Sequence, residues 1–144
     1  MQWPSTRSDC LRAIGHVLDE VRASQVHIEE GDTLLDVRYA AAGGEVELRY
    51  PTSTVERLLD EARARRGTET GGSSLGYEQK LRVIGGELDR SRGRNVRIRE
   101  HEGSFGANYI TREGGRVNAT YLLTRLEDLI ETGPRRRRQA GAGV

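Results

Sequence analysis

The chain has 144 residues, 35% of them hydrophobic and 31% charged, and a formal net charge of +1. That balance excludes a global electrostatic pull toward nucleic acid or an anionic membrane. A single cysteine, Cys10, excludes an internal disulfide, and no apolar run approaches the roughly 20 residues of a membrane span.

The opening MQWPSTRSD lacks the apolar core of a signal peptide, so a cytoplasmic protein without membrane contact is expected. From about Ser8 to Ala23, Leu11, Ile14, Leu18 and Val21 fall on one helical stripe. The period then changes to two. Val26 and Ile28 alternate with His27 and Glu29; Leu35, Val37 and Tyr39 follow, then Val46, Leu48 and Tyr50. Gly31-Asp32 and Gly43-Gly44 separate these strands as hairpin turns. Ser53-Thr-Val-Glu56 has the form of a capping box and predicts a closing helix with Val55, Leu58, Leu59 and Ala62 on its apolar side.

After a Gly/Ser-rich stretch the pattern starts again. Leu11, Arg12, Ile14, Gly15, Leu18 and Asp19 are matched 70 positions later by Leu81, Arg82, Ile84, Gly85, Leu88 and Asp89, and Val26, Ile28 and Tyr39 by Val96, Ile98 and Tyr109. With one residue inserted, Val46, Tyr50 and Glu56 are matched by Val117, Tyr121 and Glu127. The third strand of this second half carries Val117, Ala119 and Tyr121, and Thr124-Arg-Leu-Glu127 opens a helix with Leu126, Leu129 and Ile130. Internal self-similarity of this kind predicts a duplication.

The expected fold class is therefore α+β: an internal duplication of an α-β-β-β-α unit, with antiparallel sheets, helices on one face and pseudo-twofold symmetry. Repeat 1 spans 1–66, a linker 67–76, repeat 2 77–132 and a disordered Arg-rich tail 133–144. Whether the two sheets join within the chain or between chains is open. In element order alone the unit resembles the double-stranded-RNA-binding domain. That family opens its second helix with a lysine-rich stretch, where this chain has Ser53-Thr-Val-Glu-Arg and Thr124-Arg-Leu-Glu-Asp.

Catalytic signatures do not emerge. His16, His27 and His101 are not at metal-ligand spacing from one another or from Cys10, and the glycine-rich stretch lacks the Lys-Ser/Thr of a phosphate-binding loop. No catalytic residue, metal or cofactor is assigned. His16 is expected to touch Asp19 on a helix surface, Cys10 to be a partly buried helix residue, and Trp3 to be an exposed aromatic. Gly15 and Gly85 lie inside helical stripes, where glycine costs about 1 kcal/mol against alanine. They are expected to permit close packing between the repeats.

The polar strand positions differ most between the halves. In repeat 1 the outward side carries His27, Glu29, Asp36, Arg38, Glu45, Glu47 and Arg49; in repeat 2 it carries Arg97, Arg99, Asn108, Ile110, Arg116, Asn118 and Thr120. Arg97, Arg99 and Arg116, with Asn108 and Asn118, are the candidate binding face, and Arg135, Arg136, Arg137 and Arg138 a second basic element. The leading expectation is a non-enzymatic binding or adaptor protein that engages a protein partner or itself through its sheet faces. The alternatives are nucleic-acid binding through the basic face and tail, and a small-molecule binder or enzyme with a pocket between the repeats.

Overall fold

The computed structural model describes residues 2–66 and 76–126. Helix α1 covers Arg7–Glu20, followed by β1 Ser24–Glu30, β2 Leu34–Ala41, β3 Gly44–Pro51 and α2 Thr52–Arg66. Helix α3 covers Tyr77–Ser91, followed by β4 Arg94–His101, β5 Ser104–Ile110 and β6 Arg116–Leu122. The chain is helical again at 123–126. Most of the expected linker, Glu127, Leu129 and Ile130, and Arg135 to Arg138 lie outside the described residues.

Helix α1 stops three residues before the sequence pattern suggests. Arg22 adopts a left-handed φ of 54°, and Ala23 N donates to Leu18 O while Arg22 N donates to Asp19 O. This is the Schellman pattern, which turns the chain toward the sheet. Helix α3 ends the same way, with Arg92 at φ 52° and Gly93 N donating to Leu88 O. The capping box expected at Ser53-Thr-Val-Glu56 does not form. Helix α2 begins at Thr52, straight out of β3, so Ser53 lies inside the first turn and not at the flanking position.

The alternating segments form one antiparallel six-stranded sheet in the order β3-β2-β1-β4-β5-β6. The sheets thus join within the chain: β1 pairs with β4 through His27↔Arg99, Ile28↔Ile98 and Glu29↔Arg97. Each seam strand carries a bulge, centred on Gln25 and Asn95, both at φ 53°. A bulge leaves backbone groups outside the ladder. Here a carboxylate from the opposite strand takes up the amide: Val26 N donates to Glu100 Oε1, and Val96 N to Glu30 Oε1, both at 3.1 Å.

The helices bury one face of this sheet. Val26, Ile28, Leu35, Val37, Val96, Ile98, Phe105 and Ala107 are at most 1% exposed and share a core with Leu11, Ile14, Leu18, Leu81, Ile84 and Leu88. Helices α1 and α3 meet at the expected glycines, but the contact is with the first turn of the opposite helix. A Cβ on Gly15 would lie 2.7 Å from Tyr77 and Glu78 backbone, and one on Gly85 2.6 Å from the Ser8 Cα. Each helix also caps the other. Asp19 accepts from the amides of Tyr77 and Glu78, and Asp89 from those of Arg7 and Ser8. Carboxylates at helix N-termini satisfy otherwise unpaired donors and complement the helix dipole.

Candidate recognition surface

The face of the sheet away from the helices is built from cross-strand rows. One runs Glu47–Arg38–His27–Arg99–Gly106–Thr120, and the next Arg49–Asp36–Glu29–Arg97–Asn108–Asn118. The joined sheet thus places the acid-rich half and the basic half edge to edge, with His27 and Glu29 at the seam.

The two halves differ in how their charge is used. On β2 and β3, Arg38 Nε lies 3.2 Å from Glu47, and Arg49 Nε lies 3.4 Å from Asp36. On the other half, Arg97 Nε lies 3.3 Å from Glu29, reached across the seam. The candidate binding face thus has an acid beside Arg97, although its outward residues from Arg97 to Thr120 include none. β4 abuts β1, and Glu29 becomes a neighbour that the order of residues in β4, β5 and β6 does not show. Arg99 and Arg116 are exposed and make no ion pair among the described residues.

The basic side chains surround a concavity of about 390 Å³, walled by His27, Arg97, Arg99 and His101 and bounded by Gly106, Asn108, Asn118 and Thr120. Gly106 lines it without a side chain, and a Cβ there would stand at ordinary contact distance, 3.4 Å, from His101 Nε2. A second concavity of about 340 Å³ adjoins it, lined by Arg97, Asn108, Ile110, Arg116 and Asn118. The expected site residues are thus brought to one face, but not into one cluster. Arg97, Asn108 and Asn118 border both concavities, Arg99 the first and Arg116 the second.

His27 and Gly106 belong to this surface and were not among the expected binding residues. The burial of His27, then the positive charges of Arg99 and Arg38, hold its imidazole below the ordinary histidine range despite Glu29. It is therefore neutral at pH 7 and can take up a proton when an anion enters. Nothing in the sequence alone pairs His27 with Arg99, because that needs the β1–β4 register.

The other candidates are absorbed by packing. Cys10 is fully buried, and burial pushes its thiol up to about 11. His16 contacts Glu78 at 3.1 Å and also Glu20, not Asp19 as expected. Trp3 is half-buried, not exposed: its Nε1 donates to Glu30 at 3.2 Å and the Arg7 guanidinium sits over its ring at 5.0 Å. Among the described residues no group of three His, Cys, Asp or Glu side chains is placed to hold a metal. No helix among them is long and apolar enough to cross a membrane.

No protein-family model, curated protein or solved structure matches the chain.

Proposed function

We propose that this protein is a non-enzymatic binding module whose basic outer face on β4, β5 and β6 takes an acidic segment of a partner protein. One observation carries this reading. Arginine and histidine side chains ring a concavity also lined by Gly106, while the arginines of β2 and β3 are already neutralised by their own acids. A partner's carboxylates gain bidentate partners there without displacing a full set of internal ion pairs.

The reading includes a duplicated α-β-β-β-α scaffold with pseudo-twofold symmetry. Its support is the pairing of equivalent positions: Gly15 with Gly85, Asp19 with Asp89, Glu30 with Glu100, and the bulges at Gln25 and Asn95. In such a scaffold the two outer half-faces are free to diverge, because neither is part of the core.

A protein segment fits better than a nucleic acid. Three strands at about 4.8 Å spacing give a basic strip only about 15 Å wide. A phosphate backbone extending past it would meet Glu29, Asp36 and Glu47 on the adjoining strands.

The test is capture of partners from the native lysate by the purified chain, with and without nuclease, at low and high salt. Capture should survive nuclease. It should fall at least about tenfold, or 1.4 kcal/mol, in the Arg97→Glu, Arg99→Glu double variant. The melting temperature should stay nearly constant, since exposed charges contribute little to stability. Capture abolished by nuclease, with a steep counterion-release slope, would transfer the face to nucleic acid.

A further inference from the structure

Among the described residues the basic face ends at a sheet edge: β6 is the last strand of the sheet and pairs with β5 alone. Its residues alternate in exposure: Arg116, Asn118 and Thr120 lie on the basic outer face, and Val117, Ala119 and Tyr121 are half-buried toward the helix side. The strand contains no proline and no acid. The opposite edge, β3, is different. It carries Glu45, Glu47 and Arg49 on its exposed side and ends in Pro51, which has no amide hydrogen to donate. Charges and proline are the usual means by which an edge strand is kept from pairing with another chain. Among the described residues β3 carries three charges and a proline, whereas β6 carries a single charge, Arg116, at its start.

From this we infer that an extended segment of the partner adds to β6 as a seventh, antiparallel or parallel strand, with carboxylates on one side and apolar residues on the other. The inference rests on the acidic-segment reading above and adds the backbone mode and the pattern of the ligand. Strand addition couples main-chain hydrogen bonds, which supply affinity, to alternate side chains, which supply selectivity. Alternate residues on a strand are about 6.6–6.8 Å apart. Three successive outward side chains of an added strand would therefore stand beside Thr120, Asn118 and Arg116, the residues that border the two concavities. A carboxylate beside Arg116 meets its guanidinium directly, whereas Arg97 and Arg99 stand on β4, about 14 Å from the added strand, and draw it by longer-range attraction across the face. The residues between them fall beside Val117, Ala119 and Tyr121, where apolar side chains extend the half-buried surface.

A second copy of this chain is a poorer occupant. β3 has the right alternation, with Glu45 and Glu47 against Val46 and Leu48, but Glu47 is already engaged by Arg38 at 3.2 Å and Arg49 at 3.6 Å. Docking it would break these pairs and bring Arg49 to a basic face.

The experiment uses the full chain and a fluorescent, end-capped decapeptide that alternates valine and glutamate. Its controls are a valine–lysine peptide and two versions of the valine–glutamate peptide, one N-methylated at every valine and one at every glutamate. Amides of alternate residues point to opposite sides of a strand, so only one N-methyl series removes the donors facing β6. Anisotropy titrations should show the valine–lysine peptide at least about tenfold weaker than the parent peptide. One N-methyl series should lose at least about tenfold and the other should stay within about threefold. Hydrogen exchange should slow at amides of β6 on peptide binding and stay unchanged in β3. If both N-methyl series bind like the parent, the segment is held by side chains alone; strand addition is overturned and the acidic-segment reading stands. If the parent peptide does not bind at millimolar concentration, strand addition is overturned. The broader reading then falls only if the Arg97→Glu, Arg99→Glu variant also captures partners normally. Self-association that the peptide displaces would give the β6 edge to a second copy and overturn an external partner.

Discussion

Adjacent glycines in α3 show how one backbone position differs from the next. Gly85 faces the first turn of α1, and a Cβ there would collide with Ser8 Cα at 2.6 Å. Gly86 has open space, its nearest prospective neighbour being Arg90 Nη1 at 3.9 Å. Gly85→Ala should therefore destabilise by about 1–3 kcal/mol through overpacking. Gly86→Ala should stabilise by up to about 1 kcal/mol through helix propensity. Thermal melts of the two variants decide it, and equal shifts would remove the close-approach argument. Sequence periodicity singled out Gly85, because it lies inside the apolar stripe beside Ile84. What periodicity could not supply was the partner, the start of α1, because that contact joins residues far apart in the chain. Ile14 and Ile84, each at most 1% exposed, were legible from the same stripe. Alanine at either should cost about 2–5 kcal/mol in a denaturant titration.

Between elements, α1 and α3 hold each other by their ends. Gly76 precedes α3 and offers no side-chain cap, and a Cβ on it would strike the Asp19 carboxylate at 2.6 Å. Asp19 therefore does the capping from α1. The start of α1 has its own cap, Thr6, whose hydroxyl accepts from Asp9 N, in addition to Asp89. Removing Asp19 should thus cost more than removing Asp89: about 1–2 kcal/mol for Asp19→Ala, and less for Asp89→Ala. Equal losses by urea titration would contradict the asymmetry. The same interface holds Glu78, 14% exposed, against Arg12 at 3.0 Å and His16 at 3.1 Å. Burial pushes the Glu78 carboxyl up, but the hydrogen bonds and charges of Arg12 and His16 outweigh it and hold it below the ordinary carboxylate range. A carboxylate depressed in the folded state adds stability above its unfolded value, near 4.3, and loses it as pH falls toward the folded value. Glu78→Gln should cost about 1–3 kcal/mol at pH 7, and the difference from the parent should shrink progressively below about pH 4. A difference that stays constant down to acid unfolding would place the effect in packing. Neither Asp19 nor Glu78 was readable as a bridging residue, because both look like ordinary exposed acids on amphipathic helices.

For the molecule as a whole, the alternation of Val26, Ile28, Val96 and Ile98 was enough to assign strands and their buried side. The register that joins β1 to β4 was not, since either half presents a plausible edge. That register decides the chemistry of the outer face: it sets His27 beside Arg99 and Glu29 beside Arg97. Two binding predictions follow from it. Glu29 competes with any incoming carboxylate for Arg97, so Glu29→Gln should strengthen acidic-peptide binding by up to about 1 kcal/mol, the scale of an exposed ion pair. His27 is held neutral by burial and by Arg99 and Arg38, and an entering anion favours its protonated form. Binding should then take up a proton and tighten as pH falls from about 7.5 to 5.5, and His27→Asn should flatten part of that slope. The most direct test of the recognition face reads the arginines themselves. The Nε–Hε nuclear magnetic resonance signals of the full chain can be followed during titration with the valine–glutamate peptide. The Arg97 and Arg99 signals should shift saturably, while those of Arg38 and Arg49, already paired with Glu47 and Asp36, should stay in place. Shifts at Arg38 and Arg49 with none at Arg97 and Arg99 would contradict the assignment of the basic face.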